Sequence, residues 1–509
     1  MNNTFENEPV VYRIPSEILE QIFLDCYEDN SIVASNTDPP FNIAQTCSRW
    51  REISTCIPTL WSSFPITFSS TRSYPSLPVL QKWLYRSGAC PISFSLIYYN
   101  TSQYSISKLD TVLFELLRAL VEHLSRWESV YLDLSGIPHN VQFPSDRFDH
   151  VLNQIPSLPK LKNLEIRTFQ TPGRRLTRHP YNDRPFIPLY FGWLSTLALL
   201  APSLERYSRY GDGYRNNLLT IPTHKLTNLY LEGMSEVDCL QLFQSSPSLV
   251  EVHFSKISSV GRRLQGTFRA PGLRKLILEP QKTNLHFLFS NLNSPKLTHL
   301  EILADHLPDP RYRGSPIDTL HSFFQQSLCP LTTLVIRPIL LTDKALENCL
   351  TVVSSTLTTF IGSGLEKVDV KRIRQTTWQP ENLTYCIGDS IMERLIYSGE
   401  PDAILCPRLE NVTFHRCVSA SEGKLGDFIE SRWRTDSQTN HVARIQKVDV
   451  ELFQSDCRVD VKKLEGMFKE GLQGGLRMAP GVQTPMKEDE ICKELSPKNV
   501  PVLQPPSNW

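Results

Sequence analysis

One phrase returns along this chain, and it limits the fold more than any other feature. It reads PKLKNLEI from Pro159, HKLTNLYL from His224, PSLVEVHF from Pro247, PGLRKLIL from Pro271, PKLTHLEI from Pro295 and PRLENVTF from Pro407. Weaker copies are RWESVYLDL, PSLERYS and CPLTTLVI. Each copy is a turn signal followed by residues that alternate apolar and polar, the period of a strand with one buried face. The first leucines of the central copies, Leu226, Leu249, Leu273 and Leu297, stand about 23 residues apart. A chain that repeats one strand at that interval must bury the same face many times over against its own neighbours.

The interval and the LxxLxL lettering match a leucine-rich repeat, in which a short strand and an outer helix form each unit. Between strands, VDCLQLFQSS (Leu240, Phe243) and IDTLHSFFQQS (Leu320, Phe323, Phe324) have helical spacing and are expected on the convex layer. Two or three buried strand residues contribute about 1.5–3 kcal/mol each, less than one repeat needs to order itself, so the repeats depend on one another. The predicted fold class is α/β, a small N-terminal all-α unit followed by an irregular leucine-rich-repeat-like solenoid, or horseshoe. The repeat count is open in 172–220 and 361–400, where the copies fade. Residues alternating with the buried positions project from the concave strand face: Tyr131, Asp133, Glu165, Arg167, Tyr230, Glu232, His253, Ser255, Glu279, Glu301, Arg337, Thr413 and His415. Their mixture of charge, aromatic rings and hydrogen-bonding groups suits protein recognition, and all but Ser255 and Thr413 are the candidate substrate-binding residues.

The N-terminal region follows a different period. In IPSEILEQIFLDCYEDN, residues Ile18, Leu19, Ile22, Phe23 and Cys26 fall on one helical face. In FNIAQTCSRWREISTCIPTLW, a second face is formed by Ile43, Ala44, Cys47, Trp50 and Ile53, and Pro58 ends it before Leu60 and Trp61. A unit of about 50 residues is marginal by itself, so its apolar surface points to a partner.

The blocks IPSEILEQIF, AQTCSRWREI and PTLWSSF, in that order over residues 10–64, resemble the F-box in its fungal form. LQKWLYRSGACPISFSL is similar to that family's linker into its repeats, and GDFIESRWR with IQKVDVEL to its last helix and strand. The resemblance implies docking onto a Skp-type adaptor and, through it, a cullin, a RING protein and a ubiquitin-conjugating enzyme. It carries adaptor contact or bracing onto Ile14, Pro15, Ile18, Leu19, Ile22 and Phe23, and the small core and its rim onto Cys47, Trp50, Ile53, Leu60 and Trp61. Ile14 departs from the family's usual leucine, a volume-conserving change. The expected organisation is an F-box at 10–64, a helix–strand linker at 65–125, the recognition solenoid at 126–452, one terminal helix at 453–477 and a disordered tail at 478–509, where large apolar groups are few. The expected function is substrate receptor of an SCF-type ubiquitin ligase, with an unknown protein as substrate. One alternative is a scaffold or binding module that carries an F-box without serving a ligase; a second is an enzyme whose site is built from the irregular regions 172–220 or 361–400.

Composition removes other classes. With 53 Lys+Arg against 53 Asp+Glu, nothing global draws the chain to nucleic acid or an anionic membrane. The basic clusters GRRLTRH, VGRRL and VKRIRQ are short and lack interleaved aromatics. The 12 cysteines include no CxxC pair, which suits reduced thiols and no zinc site. MNNTFENEPV lacks the features of a signal peptide, and LSTLALLAP is too short to span a bilayer, so an intracellular protein, cytoplasmic or nuclear, is expected. No phosphate-binding loop, dinucleotide fingerprint, HExxH or GxSxG occurs. CIGDSI, at Cys386–Ile391, is similar to the Gly-Asp-Ser block of a lipase-like family, but the Asp-x-x-His that should follow it is represented only by Asp318 and His321, which precede it. The chain is expected to be no enzyme and to need no cofactor or metal.

Overall fold

A computed structural model describes residues 13–26, 39–69, 72–99, 109–137, 157–168, 192–211, 224–259, 266–283, 285–304, 316–337, 343–364, 387–399, 404–435, 442–452 and 457–478. It divides into two compact units, Met1–Gly233 and Met234–Trp509. Both are mixed α/β, built on parallel sheets.

The first unit opens with helices α1 (Ser16–Asp25), α2 (Phe41–Thr46) and α3 (Ser48–Cys56) and a 3-10 turn at Pro58–Trp61. Strands β1 (Ser63–Phe68), β3 (Ile92–Tyr98), β4 (Trp127–Asp133), β5 (Asn163–Arg167), β6 (Arg206–Tyr210) and β7 (Asn228–Glu232) then pair in parallel, each with the next in chain order. The short β2 (Ser73–Tyr74) pairs antiparallel with β1. Helices α4 (Leu77–Arg86), α5 (Leu109–Val121) and α6 (Gly192–Leu199) join strands. The ladder therefore takes in β1 and β3 from the stretch before residue 126. Their alternation was readable in FPITF and ISFSLIY, but neither carries the leucine lettering.

In the second unit β8 (Glu251–Ser258), β10 (Lys275–Lys282), β12 (His299–Leu303), β13 (Thr333–Arg337), β14 (Thr359–Ser363), β15 (Asn411–His415), β16 (Lys447–Leu452) and β17 (Gln473–Met478) form one parallel series. β9 (Phe268–Arg269) and β11 (Leu292–Asn293) make a small side sheet. The helices are α7 (Glu236–Ser245), α8 (His286–Asn291), α9 (Pro316–Ser327), α10 (Asp343–Val353), α11 (Asp389–Leu395), α12 (Lys424–Trp433) and α13 (Arg458–Lys469). Residues 453–477 thus hold α13 and most of a strand, and the tail beyond Met478 lies outside the described residues.

The repeated leucines explain both series. Leu161, Leu204, Leu226, Leu249, Leu273, Leu297, Leu331, Leu357 and Leu409 are all buried, and the alternating apolar residues after them follow suit except Ile302, which is half-buried. Phe289, Phe323 and Phe324 join them from α8 and α9, with ring centroids 5.3 and 5.6 Å apart. Within the second unit the turns before successive strands are tied by threonines: Thr298 Oγ1 donates to Arg274 O at 3.1 Å, Thr332 Oγ1 to Thr298 O at 2.9 Å, and Thr358 Oγ1 to Thr332 O at 3.1 Å. Each of these carbonyls also accepts the backbone N–H of the threonine and of the residue after it, so the hydroxyl adds a third donor to the same rung.

The helices of this unit are braced by carboxylates that take backbone N–H groups from a neighbour's first turn, where such donors lack intrahelical partners. Glu236 Oε2 accepts from Leu288 N at 2.7 Å, Asp343 Oδ1 from Gly388 N at 2.9 Å, and Asp460 from Gly423 N and Gly426 N at 3.0 and 2.6 Å. Arg432 is fully buried and donates to Leu395 O, Cys406 O and Leu405 O at 2.8, 2.7 and 2.6 Å, binding α12 to the turn before β15.

Gly474 shows how tightly β17 is seated. Its φ is +127°, and a Cβ there would stand 1.9 Å from Val448 O of the partner strand. Gly474→Val is expected to detach β17 from β16, read as loss of hydrogen-exchange protection at 473–478 while the β12–β14 amides keep theirs.

Candidate functional site

Two surfaces gather the residues singled out in the sequence. The first is the helical unit. Pro15 precedes the opening turn of α1, and Arg49 Nη2 donates to Ile14 O at 2.6 Å, which holds the start of α1 against α3. The apolar stripe of α1 splits in two. Leu19 and Phe23, one turn apart, are inside, and the Phe23 ring lies 5.0 Å from that of Trp50. Ile18 and Ile22, also one turn apart, face outward with 53% and 41% of their surface exposed. One residue step separates these two pairs, only about 100° of rotation, so one stripe can serve both a core and an outer face.

The rest of this set forms the support. Cys47 Sγ caps α3 by accepting from Trp50 N at 3.4 Å. Trp61 Nε1 donates to Ser54 O at 2.8 Å, and the Arg86 guanidinium covers its ring at 4.5 Å. Leu60 and Trp61 are buried, Ile14, Cys47, Trp50 and Ile53 half-buried, and Pro15 exposed.

The second surface is the polar face of the strands. In the first unit the strand pairing sets Ser95, Tyr131, Glu165, Ser208 and Tyr230 in one row, and Ile97, Asp133, Arg167 and Tyr210 in the next. The Arg167 guanidinium lies 5.4 Å from the Tyr131 ring centroid and 4.5 Å from that of Tyr210, which stacks on Tyr230 at 4.0 Å. Arg167 also pairs with Glu165 at 2.8 Å, both side chains still partly exposed. Tyr131 Oη donates to Asp133 Oδ2 at 3.3 Å, and Gly211 N to Glu232 Oε2 at 2.5 Å. Burial, helped by the Asp133 carboxylate, pushes the Tyr131 phenol up to about 12, so it remains a donor at neutral pH.

In the second unit His253 pairs with Glu279 at 2.9 Å, Ser255 donates to the same carboxylate, and His299 meets Glu301 at 2.5 Å. The His253 contact, with Ser255, holds Glu279 below the usual carboxylate range despite partial burial. Thr413 and His415 follow on β15, half-buried, and burial keeps the His415 imidazole below its ordinary value. Arg337 is exposed, Arg416 pairs with Glu451 at 2.5 Å, and Lys447 pairs with Asp449 at 3.3 Å.

Period 2 located the strand-face residues, but it missed Tyr210, the ring that completes the first unit's stack. The copy PSLERYS ends at Ser208, and Tyr210 is two residues further on the same face. Nor did it yield His299, whose partner is two residues along its own strand.

Ser390 is drawn into structure. Its Oγ donates to Glu347 Oε2 at 3.0 Å, and Glu347 also receives Arg394 at 2.7 Å and Lys344 at 3.0 Å. Burial alone would raise the Glu347 carboxyl; these hydrogen bonds outweigh it and hold it below the usual range. Its charged form therefore stabilises the fold above the unfolded value near ~4.3, and that contribution disappears as pH falls through the lower folded value. Glu347→Gln is expected to lower the melting temperature at neutral pH and to flatten its acid limb below about pH 4.3. Unchanged pH dependence would contradict this.

Burial pushes the Cys329 and Cys406 thiols up to about 11 and about 12, the opposite of what a nucleophilic cysteine needs. Among the described residues no group of three or more His, Cys, Asp or Glu side chains could hold a metal ion, and no helix is long and apolar enough to cross a membrane. A scan against protein-family models finds no match for this chain, and a search of curated proteins finds no matching sequence.

Proposed function

We propose that the chain is a substrate receptor of a cullin–RING ubiquitin ligase. Its F-box-like unit docks on a Skp-type adaptor, and its polar strand face takes the target. The observation that carries this reading is the split stripe of α1. Leu19 and Phe23 complete an internal core, while Ile18 and Ile22 stay outside at 53% and 41% exposure, on a helix that also carries Glu17, Glu20 and Asp25. Paired β-branched groups standing in water fit a surface that another subunit covers.

The chain itself performs no bond chemistry in this reading. It raises the local concentration of target lysines near a conjugating enzyme bound elsewhere in the assembly. Support for the receptor half comes from the strand face, where rings and charged pairs stand in regular rows.

The test is co-expression of the full chain with a Skp-type adaptor and cullin, followed by size-exclusion chromatography and a ubiquitin-transfer assay. A stable complex that supports ubiquitin transfer to a co-purified protein is expected. A complex with adaptor but without cullin or transfer would favour a scaffold, and no complex would overturn the proposal.

A further inference from the structure

The stack on β4 to β7 already displays how this surface holds a cation. The Arg167 guanidinium lies between the rings of Tyr131 and Tyr210, at 5.4 and 4.5 Å, with Glu165 in contact at 2.8 Å. Ring faces attract a guanidinium through their quadrupoles, and a carboxylate adds a charge-assisted hydrogen bond. Tyr230 extends the column by another ring at 4.0 Å. The carboxylates and cations on this face of β4 to β7 are Asp133, Glu165 and Glu232 against Arg167 and the exposed Arg206 at the start of β6, a small excess of acid. Ser95 and Ser208, the small members of the row that holds Tyr131 and Tyr230, leave the rings standing above the floor of the sheet. An acidic or phosphorylated segment would meet carboxylates here, with Arg167 already engaged. A basic one meets complementary charge and aromatic surface together.

We propose that this face binds an extended, arginine-bearing protein segment, whose guanidinium groups lie against Tyr131, Tyr210 and Tyr230 and pair with Asp133 and Glu165. The proposal names the class of target for the receptor described above, and it rests on that reading only in calling the segment a target.

The test uses the full chain and fluorescence anisotropy, with a labelled peptide of alternating arginine and serine and a glutamate–serine peptide of the same length. Saturable binding of the arginine peptide alone is expected at physiological salt. Tyr210→Ala and Asp133→Asn should each weaken it by about tenfold. Arg167→Ala should tighten it several-fold, because removing the internal cation opens its place between the two rings. Thermal melts establish that each variant is folded. Equal binding of the two peptides would overturn the proposal. So would folded Tyr210→Ala and Asp133→Asn variants that bind as the wild type does, or weaker binding by Arg167→Ala. Adaptor capture is measured on the same samples. Arginine-peptide binding without adaptor capture overturns the receptor reading and leaves this surface standing; capture without peptide binding does the reverse.

Discussion

Replacing Ile22 with aspartate is expected to abolish capture of a Skp-type adaptor while leaving the melting temperature within about 1 °C of the wild type. The side chain is already 41% exposed, so a carboxylate there costs the free protein little. In a complex the same carboxylate would be buried without a partner, a penalty of several kcal/mol, enough to weaken binding more than about a hundredfold. Leu19→Ala is expected to behave differently, although sequence placed both residues on one face. Leu19 is 1% exposed, so truncation opens a cavity in the helical unit and costs about 2–5 kcal/mol of its stability. Its effect on adaptor capture should therefore be accompanied by unfolding of residues 13–26 and 39–61, visible as lost amide protection. Adaptor binding by Ile22→Asp at wild-type strength in a pull-down would remove the F-box reading.

The largest stability effect is expected at Arg432. Its guanidinium is fully buried and feeds three backbone carbonyls at 2.6–2.8 Å. Burial also lowers its own pKa to about 10, yet it stays protonated at neutral pH. Arg432→Met fills similar volume but takes a donor from three buried carbonyls; Cys406 O keeps Leu409 N at 3.1 Å, while Leu395 O and Leu405 O lose the donor that Arg432 supplies, at about 1–3 kcal/mol each. A loss of about 3–5 kcal/mol or more follows, centred on α12 and the turn before β15. Arg432→Lys should recover only part of it, since one ammonium cannot reproduce the planar fork that serves three carbonyls at once. Urea melts of the two variants measure this, and a methionine variant as stable as the wild type would refute it.

Much of the fold was legible because its period is written in leucines. Each Leu of the LxxLxL lettering is buried at the turn before its strand, so counting leucines located β5 to β8, β10, β12, β13 and β15. The strand β14 was passed over. Its copy, STLTTFI at Ser355–Ile361, puts Phe360 where leucine was sought and has no proline to announce it. β1 and β3 escaped the ladder for a related reason, since phenylalanine and isoleucine fill their buried positions.

The candidate surfaces were legible as faces and not as contacts. Alternation along a strand says that Arg167 and Tyr131 point the same way. It does not say that β4 and β5 pair with Tyr131 opposite Glu165, which is what brings the guanidinium over a ring. The split of the α1 stripe was likewise invisible, because Ile18 and Leu19 are equally apolar and only the position of α3 and Trp50 decides which of them is covered. Arg432 could not be foreseen at all. A charged residue near the end of an amphipathic helix usually belongs to solvent, and here the neighbouring turn supplies acceptors from 26 to 37 residues away.

The threonine hydroxyls bear on how this chain could be cut and rejoined. Thr298, Thr332 and Thr358 each reach back to the carbonyl of the turn before, across 24, 34 and 26 residues respectively. Spacers of such different length arriving at one geometry means the rungs, and not the spacers, fix the joining points. Excising the chain from just after Thr332 to just after Thr358 should bring Thr332 O to the backbone N–H groups of Glu410 and Asn411, which Thr358 O now accepts, yielding a shortened array in which a whole module has been removed or, by the inverse operation, grafted.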